Sequence, residues 1–262
     1  MRVLTVAREP LHALDYVSPD GSGLARCRFD IRLATVDRLP ADCDALFACS
    51  DLQGRVGSSQ GYRLMGEVVA EELASLCGAG ARRIGVMLCG DLYVRPKLDR
   101  RAGVGDVRPV WRAFARRFRW VVGVAGNHDA FGNDPTEVAR FQTEPGIHLL
   151  DSRTVELGGL RIAGLGGIIG NPLKPQCRRK KDYVGALERL LGEEPDLVLL
   201  HQGPDIPGEG LAGHRAIRRA IRRTSKPLVV CGHSHWKTPL ASIGRGPQVL
   251  NLEARGLLLV RR

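Results

Sequence analysis

The chain has 262 residues, 44% of them hydrophobic, which suits one full-sized core better than two small ones. Its seven cysteines are odd in number and form no CxxC pair, which argues against a disulfide framework and a structural zinc module. No apolar run of about eighteen residues predicts a membrane helix. The formal charge of +11 admits a nucleic-acid partner, yet only six of the 39 basic residues are Lys, an arginine skew that GC-rich codon usage also produces.

The opening residues, MRVLTVAREP, lack the apolar core and cleavage site of a signal peptide, so a reducing cytoplasm is the expected setting. Two strand-like pieces, VLTVA and the stretch around Leu33 to Val36, read as extra strands added within residues 1–44 to a single domain of residues 1–262. The motif-bearing core follows at 45–236. It alternates continuous apolar runs with amphipathic stretches, the pattern of βα units around a central sheet covered on both faces. The runs are DALFACSD (44–51), RIGVMLCGD (83–91), WVVGVAGNHD (120–129), DLVLLH (196–201) and PLVVCGHSH (227–235), with helices expected at 62–77, 108–118, 182–191 and 212–223. The segment 95–107, RPKLDRRAGVGDV, reads as a mobile loop, and 154–170 as a β-hairpin turning at Gly158-Gly159. The tail at 237–262 reads as a second hairpin, turning near Ala254 to Gly256.

Each of the five runs ends in residues that bind hard or borderline divalent cations: Asp51; Asp91; Asn127 with His128; His201; His233 with His235. Carboxyl ends of strands line the ligand crevice of open α/β sheets, so residues far apart in sequence are expected to meet there. The glycines of GD, GNHD and GHSH fit tight turns leaving the strands.

The ordered set D-x-Q…GD…GNHD…H…GHSH resembles the signature of calcineurin-like metallophosphoesterases over about Asp44 to Trp236, with Gln53 where that family carries His. The resemblance implies an α/β fold, a four-layer αββα sandwich of two mixed β-sheets flanked by helices. It implies two divalent metal ions, with mixed nitrogen and oxygen ligation favouring Mn²⁺ and admitting Fe or Zn²⁺. Metal one would take Asp51, Gln53, Asp91 and His235; metal two would take Asp91, Asn127, His201 and His233, with Asp91 bridging. His128 would contact the phosphate and protonate the leaving oxygen, while a metal-bridging hydroxide attacks phosphorus in line. An amide oxygen can ligate a metal, so Gln53 is expected to weaken metal one without emptying it.

The departures narrow the substrate. Val94 stands where the protein-phosphatase branch carries an Asp that orients the catalytic His, and the stretch after Trp236 is too short for the capping domain of the break-repair nucleases. The expectation is a phosphodiesterase with an open cleft, a nuclease acting on DNA or RNA in repair or processing, with no membrane partner. The alternatives are a phosphomonoesterase and a non-catalytic scaffold on the same fold. Arg215, Arg218, Arg219, Arg222 and Arg223 fall at helical spacing and read either as a solvated face or as a phosphate-backbone track. Cys49, Cys89 and Cys231, each two positions before a candidate ligand, read as packing residues rather than redox centres. His12, His148 and His214 receive no role.

Overall fold

The computed structural model describes residues 1–20, 23–58, 61–98, 103–224 and 226–262. Its chain opens with a long antiparallel hairpin, β1 (Val3–Pro19) and β2 (Leu24–Val36), of which the two strand-like pieces in the sequence are only the inner end. Register shifts between Val3 and His12 break the two-residue alternation, so the strand's length is hidden from periodicity. Next come β3 (Ala45–Ser50), β4 (Arg55–Ser58), β5 (Gly61–Leu64) and α1 (Met65–Cys77). Helix α1 starts three residues later than expected because residues 61–64 are paired with β4.

After β6 (Ile84–Leu88), the two-residue β7 (Gly105–Asp106) and α2 (Arg108–Ala115) lead into β8 (Trp120–Gly123) and β9 (Asp129–Ala130). The expected mobile loop at 95–107 divides. Its residues 99–102 lie outside the described residues, whereas Gly105 and Asp106 pair with Asp129 and Ala130 against the GNHD corner. Helix α3 (Pro135–Gln142) was not expected from the sequence. Its N-cap, Asp134, accepts a hydrogen bond from the Glu137 backbone at 2.9 Å, with Pro135 at the first helical position.

Strands β10 (Ile147–Leu149), β11 (Arg153–Leu157) and β12 (Leu160–Leu165) follow, the last two forming the hairpin expected at Gly158-Gly159. The chain then runs through β13 (Ile168–Ile169), β14 (Cys177–Arg178), α4 (Lys180–Gly192), β15 (Leu197–Gln202), α5 (Arg215–Ile221) and β16 (Leu228–Gly232). It ends with β17 (Leu240–Ser242), β18 (Gln248–Asn251) and β19 (Arg255–Arg261).

One mixed sheet has the order β10-β8-β6-β3-β19-β2-β1-β4-β5 and the other β11-β12-β15-β16-β18-β17. Three apolar clusters separate four layers. Alternate residues of β3 show the principle: Ala45, Phe47 and Cys49 face α1 and α2, while Leu46 and Ala48 face the second sheet. In β16, Leu228 and Val230 face the first sheet, and Val229 and Cys231 face α4 and α5.

The expected C-terminal hairpin is corrected. The chain does turn at Ala254, with φ 51°, but β18 pairs with β16 and β17 while β19 pairs with β2 and β3. The physical reason lies in LLL (257–259). Leu257 and Leu259 pack between the sheets and Leu258 packs toward the helices, a two-faced burial that a surface hairpin does not offer. The turn therefore hands the chain from one sheet to the other.

Candidate metal centre

The carboxyl ends of β3, β6, β8, β15 and β16 converge, and their corners are strained. Asp51, Asp91 and His233 take φ of 57°, 55° and 67°, a left-handed conformation that costs a non-glycine residue about 1–3 kcal/mol. Each is held by a neighbouring corner: the Asp51 N–H donates to Gly90 O at 2.9 Å, the Asp91 N–H to Asp129 Oδ2 at 2.8 Å, and the His233 N–H to Asp51 Oδ2 at 2.9 Å. The motif glycines serve two purposes, the expected turn at Gly90 and close approach at the others. Only Gly90 has positive φ. A Cβ on Gly126 would lie 2.1 Å from Asp91 Oδ1, and one on Gly232 would lie 2.1 Å from Ser50 Oγ, so these two exist for close approach.

Asp91, His201 and His233 bring ligand atoms within 4.8 Å of one another. Ions held at about 2.0–2.2 Å by such atoms need a contraction of under ~1 Å from that spread, so the donors fit a divalent cation. His201 is fully buried. Its Nδ1 donates to the Cys89 carbonyl at 2.8 Å, which leaves Nε2 facing Asn127 Oδ1 at 3.1 Å and Asp91 Oδ1 at 3.4 Å. A carbonyl behind the far ring nitrogen is the usual way a ligating imidazole is oriented. Burial works against protonation of His201, but the Asp91 carboxylate, and then Asp51, outweigh it and raise the imidazole's pKa. Burial also lowers His233, to about 4, with the His201 charge adding, so it stands neutral and ready to ligate at neutral pH. The residues that the resemblance assigned to metal two are thus together.

The metal-one residues are assembled more loosely. Asp51 is buried, and its Oδ2 accepts from Ser50 Oγ at 2.7 Å as well as from the His233 N–H. Burial pushes its pKa up to about 7, with the Asp91 charge adding and the His201 charge opposing. Gln53 is buried too, and its amide Nε2 donates to Asp91 Oδ2 at 3.2 Å. His235 stands apart, its side chain 71% exposed, with Nδ1 on Glu253 Oε2 at 2.7 Å and Nε2 left for a ligand. The oxygen and nitrogen donors of this half also suit a divalent cation. Asp51 and His235 lie outside the close group around His201.

His128 reaches the same carboxylate from the other side. Its N–H donates to Asp91 Oδ1 at 2.9 Å, and its Nε2 lies 3.9 Å from Asp91 Oδ2. Its Nδ1 donates to the Gly103 carbonyl at 2.7 Å, while the Gly105 N–H donates to the His128 carbonyl at 3.2 Å. The Gly103 carbonyl does the orienting that a second Asp does in the phosphatase branch. Val94, at the corresponding place, is fully buried among apolar residues.

Three supporting residues carried no role in the sequence reading. Asp129 is buried and accepts from the N–H groups of Asp91, Leu92 and Gly126 at 2.8–2.9 Å, stitching the GD corner to the GNHD corner. Its pKa rises to about 6, through burial first and the Asp91 charge second. The others are Ser50, beneath Asp51, and Glu253, behind His235. The Asp of GNHD was a visible signal, whereas Glu253 was hidden in the presumed hairpin turn.

Two of the five arginines are paired with carboxylates. Arg218 turns to Asp205 at 2.8 Å and Arg223 to Glu188 at 2.9 Å, while Arg215, Arg219 and Arg222 carry no such pairing among the described residues. Cys49, Cys89 and Cys231 are fully buried, one in each apolar cluster, and burial raises all three thiols, as packing residues require. His214 caps α5 by accepting the Ala216 N–H at 3.1 Å.

The arrangement and the motif order agree with a family model described as calcineurin-like phosphoesterase, which matches residues 46–237; the chain belongs to that family. It is similar in structure to the Thermus thermophilus protein TT1561, at 18% identity and TM-score 0.58, over 80% of this chain and 89% of that one. Weaker likenesses are to the T. thermophilus sulfate thiohydrolase SoxB (13% identity, TM-score 0.47, 82% of this chain and 53% of that one) and Haemophilus influenzae NAD nucleotidase (12%, 0.40, 83% and 44%). No curated protein sequence matches the chain. Among the described residues, no helix is long and apolar enough to cross a membrane.

Proposed function

We propose that the chain is a binuclear metal-dependent phosphodiesterase acting on nucleic-acid or nucleotide phosphodiesters. Two divalent cations, Mn²⁺ before Fe or Zn²⁺, would supply Lewis acidity and charge neutralisation at the phosphoryl group when bound between the Asp51/Gln53/His235 side and the Asn127/His201/His233 side of Asp91. The chain's own residues do the rest. His201 and Asp51, locked by the Cys89 carbonyl and the Ser50 hydroxyl, hold their donor atoms in place without rearrangement. Asn127 presents its amide oxygen beside His201 Nε2, and His128 its imidazole beside Asp91 Oδ2.

The observation that carries the reading is the aim of His128. With the Nδ1 proton committed to the Gly103 carbonyl, the proton available for transfer sits on Nε2, which points into the centre beside Asp91. In the acid form Nε2–H gives that proton to the departing ester oxygen, and the ring is left as the Nδ1 tautomer that the carbonyl already selects. Such help contributes about 10²–10⁴-fold, and a binding scaffold has no use for it.

The test is hydrolysis of bis-p-nitrophenyl phosphate with added Mn²⁺, beside an Asn127→Ala control. Metal-dependent turnover that the control loses is the expected result. Absence of turnover with Mn²⁺, Zn²⁺, Fe²⁺ and Co²⁺ alike overturns the proposal.

A further inference from the structure

Helices α4 and α5 pack side by side on the outer face of the six-stranded sheet and leave a groove of about 520 Å³ between them. Lys180 and Lys181 line one wall, Arg219 and Arg223 the other, with Glu188 the only acid among the lining residues. Glu188 is paired with Arg223, and among the described residues no carboxylate pairs with Lys180, Lys181 or Arg219. The floor is small, set by Gly185, Ala216 and Ala220, and no aromatic residue lines the groove. The cations can therefore meet a ligand that reaches the floor, while no ring is available to stack on a base.

The groove's walls are tied to the loop that follows His201. Helix α4 follows directly from β14, whose partner β13 is pinned to the residue after His201: the Ile169 N–H donates to Gln202 Oε1 at 3.0 Å. The first turn of α5 hangs from the same loop, through His214 N–H to Gly203 O at 2.9 Å and Arg218 Nε to Asp205 Oδ1 at 2.8 Å. Both walls are thus tied by hydrogen bonds to residues 202–205, just after His201.

We infer that this groove is a backbone track for a single-stranded polynucleotide whose phosphodiester is presented at the metal centre. The inference rests on the phosphodiesterase reading and adds to it the substrate class. Packed helices touch, so the ligand lies in the groove above their contact, and a volume of about 520 Å³ there takes the backbone of one strand. With cations on both walls and no stacking surface, the protein grips phosphates and shows no base preference.

The experiment is fluorescence anisotropy of a labelled, hydrolysis-resistant phosphorothioate 20-mer with Mn²⁺-loaded protein across a salt series. Reversing Lys181→Glu together with Arg219→Glu is expected to weaken binding more than about tenfold and to flatten the salt slope by about 1.4, each phosphate no longer neutralised accounting for ~0.7. The same charge change at the far ends of the sheets, Arg2→Glu with Arg82→Glu, is expected to cost under about threefold. Should the double reversal not fold, Lys181→Ala alone is expected to flatten the slope by about 0.7. Unchanged affinity in the groove variants overturns the track, as does an equal loss in the distant pair. Equally good competition by polyglutamate of matched charge overturns the polynucleotide assignment. Because the readout is binding, a wild type that turns over bis-p-nitrophenyl phosphate without retaining the 20-mer refutes the track alone. A wild type that turns nothing over refutes the activity first.

Discussion

Around His201, three ligand-bearing side chains already stand within 4.8 Å of one another, two of them buried, and the fully buried imidazole is fixed from behind by a backbone carbonyl. Around Gln53, the carboxylate of Asp51 is divided between a hydroxyl and an N–H, the amide leans on Asp91, and His235 stands in solvent against Glu253. The two halves share Asp91 and differ in preorganisation. A site whose donors are positioned before the ion arrives loses little freedom on binding it, whereas a site that must draw in an exposed imidazole gives up side-chain entropy of about 1 kcal/mol or more. The departure from the family pattern falls on the looser half, where the buried Gln53 amide donates to Asp91 Oδ2.

Removing one imidazole from each half tests the contrast most severely. His201→Ala is expected to weaken the tighter Mn²⁺ by more than about 100-fold, beyond the 10–100-fold cost of losing an outer partner. His235→Ala should leave that ion's affinity within severalfold and weaken only the second. Isothermal titration calorimetry resolves the two events, and equal losses in both variants would erase the distinction between the halves.

Asp129→Asn strikes what the halves have in common. The amide that replaces one carboxylate oxygen meets backbone donors head-on, at Leu92 or at Asp91 and Gly126. The expected outcome is a drop of about 10–100-fold in kcat on bis-p-nitrophenyl phosphate with the fold retained by circular dichroism. Full activity would show that the stitching between corners is dispensable.

The smallest expected effect is also the most specific. Gln53→His should tighten the weaker Mn²⁺ by about tenfold, about 1.4 kcal/mol, and leave the tighter one unmoved. A titration that cannot tell the variant from the parent would mean that Gln53 ligates as well as an imidazole does.

That the candidate ligands would converge was legible because chemistry and topology coincide in them. Asp51, Asp91, His201 and His233 each sit where a continuous apolar run stops, and such runs mark buried strands whose ends share one crevice. What escaped were contacts made by the backbone or across long separations. Nothing in a sequence ties Gly103 O to His128, or Cys89 O to His201, since any residue brings a carbonyl. Asp129 passed as part of a motif because its work is to collect three N–H groups that become neighbours only after folding. The handover from β18 to β19 escaped for a related reason: two apolar strands around a turn satisfy a hairpin pattern, and only two-sided burial of Leu257 to Leu259 distinguishes the alternatives.

The carbonyl of Gly103 that aims His128 has one more consequence. A carboxylate in that position would be lost to a single codon change, but a main-chain oxygen is present whatever side chain its residue bears. The hydrogen bond is vulnerable instead to changes of length. One residue inserted between Gly103 and Gly105, whose N–H returns to the His128 carbonyl, would present a different carbonyl, or an N–H, to the imidazole. Position 103 is itself held to glycine by its φ of 135°, where a Cβ would lie 2.9 Å from Arg95 Cγ, so across descendants of this sequence the aim of His128 would be inherited as a backbone shape and a count rather than as a carboxylate.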